Sequence, residues 1–505
     1  MKIHLIGHAS LFVETQDCKI LMDPLLFNPA IVEEMQDVCP KRELALNHLP
    51  EFDTLVISHK HIDHFDLRSL AYLPKHVDVF IPKDKLIETC LRKLGYQNIY
   101  TLRDWSEVRL GATHLLTTRS ENRVPEYGMI FADEDGVFWN QVDSRINPDT
   151  IREVKSRYPQ IDFLLAGWQP MLETQYQHND NLSFPFSEYS KTLKLISLTK
   201  PKAIAPGANG YKFINSSAWL NQIVFPVTRE QFCRDAKRTC PEIADKVFTF
   251  EPGDIITIDR GECTHLTQSS DFVRMVEDDR ELLDFCPVNV DSRLIDDNLD
   301  GHDLHEMKKA IKQEVCLSLT QFFNQNQDSL FLEYCHWQVI YQLEVVFPDG
   351  SQIWHFDFSE KQIQCRVGRN PLANLFNAIT ASSLYGIMQG TKGWDYAYLG
   401  GFYRSFHKLY QATPYGIVKS INESSNFSFP QPLYAKFPYD RVYERVRNYE
   451  TKKWGQVENS QEIEPENTTT IVIIGKTLTR VAKLKPDLAQ NSNSNGNSQH
   501  LSLVN

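Results

Sequence analysis

The stretch from Thr54 to His64 constrains this chain more than any other. Thr54, Leu55, Val56 and Ile57 read as a short buried strand. Ser58, His59, Lys60, His61, Ile62, Asp63 and His64 follow at once, placing three histidines and an aspartate within six residues. Side chains two apart on extended backbone share a face, so His59 and His61 project together. Asp63 and His64, in the turn beyond, can reach back over the same pocket or over a second metal beside it. Imidazole nitrogens and a carboxylate at this density suit zinc, iron or manganese and leave coordination positions open for water or substrate.

At 505 residues the chain exceeds what one core supports, so two or more domains are expected. A net charge of -12, with no Lys/Arg-rich run, argues against nucleic acid as a partner. No apolar run approaches a membrane span, and the opening Met1 to Gly7 is too short and too interrupted for a signal peptide. The ten cysteines are scattered without a CxxC pair, which fits reduced thiols and a cytoplasmic location.

In chain order, Lys2 to Ile6, Leu11 to Glu14 and Lys19 to Met22 form a strand meander ending on Asp23-Pro24, a strand-end carboxylate or a plain turn. Pro29 to Val38 suggests a short helix or lid, and the segment to Pro50 is irregular. Asp66 to Tyr72 and the Asp84-capped stretch to Leu94 read as helices, with strands at Val77 to Ile81, Ile99 to Leu102, Val108 to Leu110 and His114 to Thr118. Two strands flank the turn Asp133 to Gly136, and Asp143 ends the second. Asp143 is either a bridging metal ligand or a cap for the helix that Asn147-Pro148 begins. Ser187 to Leu198 is a helix and Ala203 to Ala205 a strand. A polar stretch after Arg260 sets a domain limit, giving residues 1–265 as a metal-binding domain and 266–485 as an α+β accessory domain. Within the latter, His302 to Phe323 is an amphipathic helix, Tyr341 to Val367 an antiparallel meander, and Leu372 to Met388 and Tyr396 to Tyr410 helical. Residues 486–505 are too polar to bury and read as a disordered tail.

Together, Gly7-His8-Ala9-Ser10, Met22-Asp23-Pro24, the His59 to His64 motif and the strand-end Asp143 resemble the metallo-β-lactamase superfamily. The resemblance implies an α/β chain with an αββα sandwich and a mono- or dinuclear metal site at one edge. It carries His59 and His61 to one metal and Asp63 and His64 to the second, with Asp143 bridging; Asp63 is also the candidate catalytic residue. A looser similarity, through Val142 to Arg145, Pro201 to Tyr211, Glu251 to Ile256 and Trp394 to Gly400, runs to the non-Rieske part of the CMP-N-acetylneuraminate hydroxylases. Two histidines usual in the superfamily are absent. Between Arg119 and Tyr127 the chain offers Glu121 and Glu126 instead, and near Pro206 to Tyr211 it offers Asn209; His178 is a further substitute from a loop. A glutamate in the first position resembles a dinuclear-iron β-hydroxylase of the same fold, and oxygen donors favour iron or manganese over zinc. The accessory domain weakly resembles a sterol-carrier-like module, which implies an apolar groove or a dimerisation surface.

The leading expectation is a metalloenzyme with two divalent ions, iron favoured and zinc or manganese open, acting on a small molecule. As an oxygenase it needs a separate electron-transfer protein: Cys263-Thr264-His265 supplies half of a Rieske motif, but no CxxH follows. A metal-dependent hydrolase of the lactonase or phosphodiesterase type and a non-catalytic scaffold are the alternatives, and a homodimer is compatible with either. No nucleophilic triad is legible.

Overall fold

Two eight-stranded sheets carry the first part of the chain. The first runs Glu262–Leu266, Ile255–Asp259, Lys2–Gly7, Ser10–Glu14, Lys19–Met22, Thr54–Val56, Asp78–Pro82 and Ile99–Leu102. The second runs Ala203–Pro206, Phe163–Ala166, Gly136–Asn140, Tyr127–Asp133, Thr113–Arg119, Glu107–Leu110, Thr477–Ala482 and Thr469–Ile474. The computed structural model describes residues 1–29, 35–173, 175–178, 182–208, 210–283, 285–287, 293–419, 431–456 and 469–482.

The layering follows from the period of two along each strand. Leu5, Met22, Val56, Phe131, Phe138 and Phe163 point between the sheets into one core. Their neighbours Ile6, Leu21 and Leu55 point the other way, onto Leu67, Leu70, Ile87 and Leu91 of the helices Leu67–Tyr72 and Lys85–Lys93. On the far side Ile130, Trp139 and Leu164 meet the helices Pro148–Arg157, Phe186–Thr199 and Arg229–Thr239. The result is an αββα sandwich, the metallo-β-lactamase fold. The helix starts are locally encoded: Asp84 accepts from Leu86 N at 2.8 Å and Asn147 from Thr150 N at 2.8 Å, each satisfying a donor the helix leaves unpaired.

The end of Pro29 to Val38, expected as a short helix or lid, and part of the segment to Pro50, expected to be irregular, are paired strands instead. Gln36–Val38 is a strand on Tyr211–Phe213, and Lys41–Leu44 is a strand on Val273–Glu277. Residues 30–34, the middle of the expected lid, lie outside the described residues.

A five-stranded sheet forms the second part, in the order Arg366–Val367, Gly350–Asp357, Ile340–Phe347, Leu375–Thr380, Tyr403–His407. Two expectations are corrected here. Leu375–Thr380 is a strand parallel to Ile340–Phe347, and only Ala381–Gln389 is helical. Leu375, Asn377 and Ile379 are the buried, alternate positions, a pattern hidden because the strand runs into the helix without a break in apolar character. The next helix, Trp394–Leu399, stops at Gly400-Gly401, and Tyr403–His407 is the edge strand. Gly401 has a φ of 78°, which lets the chain reverse there. The amphipathic helix is present as Leu304–Gln313 and Thr320–Gln325, joined by a π turn at Glu314–Leu319.

Later segments return to the sandwich. Thr477–Ala482 pairs in parallel with Glu107–Leu110, and the helix Tyr439–Gly455 packs along Leu67–Tyr72 and Lys85–Lys93. The expected tail lies outside the described residues. Among those described, no helix is long and apolar enough to cross a membrane.

Candidate metal centre

Each polar group of the site leaves the end of a strand of the sandwich. His8 follows Lys2–Gly7, Asp23 follows Lys19–Met22, His59 to His64 follow Thr54–Val56, and Asp143 follows Gly136–Asn140. Neighbouring strands running the same way, Lys19–Met22 beside Thr54–Val56 beside Asp78–Pro82, deliver these ends to one edge. Three non-glycine residues here have left-handed backbone: His8 at φ 53°, Asp23 at 44° and the β-branched Val142 at 52°. Such strain is held where the surrounding structure fixes side-chain direction.

Asp23 fixes the imidazoles. Its carboxylate is fully buried and accepts from Ser58 N at 2.7 Å, Ser58 Oγ at 2.6 Å and His64 Nδ1 at 2.8 Å. Having given its proton to Asp23, Ser58 Oγ accepts from His59 Nδ1 at 2.9 Å. Protons on both Nδ1 atoms leave lone pairs on His59 Nε2 and His64 Nε2, the form in which imidazole binds a cation. His59 Nε2 lies 2.8 Å from His61 Nδ1 and 3.9 Å from Asp143 Oδ2. His64 Nε2 lies 3.2 Å from that same Asp143 oxygen and 3.5 Å from Asp63 Oδ2. Two groups result, His59 with His61 and Asp143, and His8 with Asp63 and His64; within each the candidate ligand atoms lie within 4.8 Å of one another. Asp143 sits between them, and the cap of the following helix is Asn147 instead.

Charge and hydrogen bonding favour a cation here. His64 Nε2, Asp143 Oδ1 and Glu126 Oε2 are buried without a hydrogen-bond partner. Burial acts against charge on His64, yet Asp63 and Asp143 hold its imidazole well above the usual range. Burial likewise opposes ionisation of Asp143, but His64 outweighs it and keeps the carboxyl down at about 2. Burial, then His64 and His61, hold His59 neutral. Two ionised carboxylates thus demand positive charge, supplied by the His64 proton or, in exchange for it, by metal.

His8 shows what the sequence reading missed: its motif was noted, but the side chain had no role. Gly210 N donates to His8 Nδ1 at 3.2 Å, so the neutral ring carries its proton on Nε2 and donates to Asp63 Oδ2 at 3.1 Å. Its place directly after a strand, like that of Asp23, His59 and Asp143, was the available signal.

The substitutes separate clearly. Glu121 is exposed and pairs with Arg119 at 3.2 Å. Glu126 is buried; its Oε1 accepts from Ser120 Oγ and from Asn122 Nδ2, and the carboxyl is raised by burial and faces Asp143 and His61. His178 Nε2 meets Tyr398 OH at 2.5 Å, toward the second part of the chain. Asn209 lies outside the described residues. Cys263 is buried against Asp162 O, and His265 is bound to Asp254 at 2.8 Å, so both serve the fold.

The motif loop is clamped from the second part. Tyr443 OH donates to Lys60 O and Arg447 to Phe65 O. Asp395, on the helix Trp394–Leu399, is raised by burial, accepts from Tyr439 OH at 2.8 Å and lies in the field of His61 and Asp63. Glu173 accepts from Tyr211 OH at 2.9 Å; burial first, then Asp63 and Asp143, push it up to about 7.

Residues 2–146 match a family model described as beta-lactamase superfamily domain. A protein of Mycobacterium tuberculosis, provisionally named a Rieske 2Fe-2S iron-sulfur protein, is 27% identical over 188 residues, covering 34% of this chain and 36% of its own length. The chain thus matches about a third of that relative's length. Among solved structures, an isothiocyanate hydrolase from Delia radicum gut bacteria is 17% identical, with a TM-score of 0.37, over 51% of this chain and all of its own. CmlA, a diiron beta-hydroxylase from Streptomyces venezuelae, is 15% identical, with a TM-score of 0.36, over 52% of this chain and 53% of its own.

Proposed function

Taking the beta-lactamase superfamily domain over residues 2–146 as the premise, we propose that this chain is a dinuclear metalloenzyme, an iron-dependent hydroxylase of a small molecule. His59, His61, Asp143 and Glu126 hold one ion; Asp63, His64 and Asp143 hold the other. The observation that carries the iron reading is Glu126, a buried carboxylate with one unpartnered oxygen, in the field of Asp143 and His61 and tied through Asn122 to the Asp143 carbonyl. With Asp63 and Asp143 it makes a donor set rich in oxygen, which suits iron or manganese better than zinc.

When bound, iron supplies the activation of dioxygen, whereas zinc supplies the acidification of water. The chain's own residues do the rest. Asp23 and Ser58 hold His59 and His64 in the ligating tautomer, and the His8 ring steers Asp63 through its Nε2 proton. Glu173 and Tyr211 form a hydrogen-bonded pair able to hold or pass a proton beside the centre. The Tyr443 and Arg447 contacts keep the loop in place and shield it from water.

An oxygenase takes electrons from outside the centre, and a separate electron-transfer protein is the partner this reading requires. The relative named for a Rieske centre supports that reading.

Metal analysis of the purified protein is the test. Two iron equivalents per chain are expected, with loss of metal in His59→Ala and His61→Ala. Zinc in place of iron would turn the reading to hydrolysis, and absence of metal would leave a scaffold.

A further inference from the structure

Two thiols face each other in the second part of the chain, away from the candidate metal residues. Cys316, in the π turn Glu314–Leu319, and Cys365, just ahead of the strand Arg366–Val367, bring their sulfurs to 3.4 Å. Six of the other cysteines are buried, whereas these two are half-buried and line one shallow cavity of about 900 Å³ with Thr320, Asn324 and Ile363.

The approach is held from both sides. Asn324 Nδ2 donates to Ile363 O at 2.9 Å and its Oδ1 accepts from Ile363 N at 2.9 Å. Gln327 donates to Glu360 O at 2.9 Å, so the segment carrying Cys365 is laced to the helix that carries Cys316. Val315, Leu319 and Ile363 share the core beneath. Helices rarely widen into a π turn, and those that do are often found at functional positions. Disulfide sulfurs sit about 2.05 Å apart, so closing this pair brings the two sulfurs about 1.4 Å nearer than the 3.4 Å at which they stand.

We propose that Cys316 and Cys365 form a reversible disulfide by exchange with a low-molecular-weight disulfide, stapling the helix to the strand meander. The Cys316 thiol gives its proton to solvent, and the thiolate attacks one sulfur of the small disulfide, expelling the other half as a thiolate. Cys365, deprotonated in turn, attacks the Cys316 sulfur of this mixed disulfide and expels the second small thiolate. Two protein thiols are oxidised, and one small disulfide is reduced to two thiols. Burial, then the adjoining Cys316 sulfur, pushes the Cys365 thiol up to about 12, which gives the first attack to Cys316. Once Cys316 is in a neutral mixed disulfide, its own share of that opposition falls away and only burial still acts against the Cys365 thiolate.

The test equilibrates the full chain in oxidised or reduced glutathione, quenches by alkylation, maps the peptides by mass and follows thermal unfolding. Oxidation should yield a cross-linked peptide joining Cys316 to Cys365 and raise the transition of this part by roughly 5–10 °C, reversed by dithiothreitol. Cys316→Ser and Cys365→Ser should each abolish both effects. Full alkylation of both cysteines after oxidation, a persistent glutathione adduct on Cys316, or the same thermal shift in Cys316→Ser would overturn the proposal.

Discussion

At the residue scale, the centre depends on which atoms carry protons and which stay unpartnered. Glu126 and Glu121 are the same residue type five positions apart, yet one is buried beside Asp143 and the other pairs with Arg119 in solvent. Glu126→Gln should therefore lower metal content from two toward one ion per chain, while Glu121→Gln leaves it unchanged; elemental analysis of both variants reads this directly. The His59 to His64 cluster was legible because its density is local. Glu126 was only half legible, since choosing between two glutamates requires knowing which one the Tyr127–Asp133 strand carries inward. Asp254 shows the same logic away from the centre. Burial would raise its carboxyl, but His265 and then the backbone N–H groups of Gln268 and Glu251 outweigh it and lower it. A depressed carboxylate stabilises the fold above its unfolded value of about 3.9 and loses that contribution as pH falls through the folded value. Asp254→Asn should cost about 1–3 kcal/mol at pH 7, with the gap to the wild-type protein closing below about pH 4 in denaturant titrations.

At the element scale, ends were easier to read than interiors. Asp84 and Asn147-Pro148 start helices where their chemistry says they should, because a cap acts within one turn. The strand Leu375–Thr380 went unread because its neighbours in space, Ile340–Phe347 and Tyr403–His407, are what make it a strand. The helix Leu67–Tyr72 follows the His59 to His64 loop and ends on a charged cap. Lys75 Nζ donates to Leu70 O at 2.8 Å, to Ala71 O at 2.7 Å and to Leu73 O. Lys75→Met keeps the aliphatic stem and removes these bonds, so it should cost about 1 kcal/mol, seen as a lower denaturant midpoint.

For the whole molecule, the later segments complete the first part of the chain. Arg480, on the returning strand Thr477–Ala482, pairs with Asp53 at 2.7 Å and Asp78 at 3.0 Å and donates to Thr54 Oγ1 at 2.6 Å, at the base of the strand that leads to His59. Asp78 is largely buried and Asp53 half-exposed, so removing Arg480 costs the first its ion pair while the second is partly screened by water. Arg480→Ala should thus lower stability by about 1–3 kcal/mol, measured by chemical denaturation; an unchanged midpoint would show that this ion group adds nothing to the sandwich. By itself the sequence determined the His59 to His64 cluster and the helix starts, since each rests on spacing within a few residues, whereas the αββα layering came only as what the family resemblance implies. Only the tertiary structure decided that His8 steers Asp63, that Asp23 sets the tautomers of His59 and His64, and that Tyr443 and Arg447 clamp the loop. Those partners lie tens to hundreds of residues apart, and they meet because parallel strands end at one edge and the chain folds back across it.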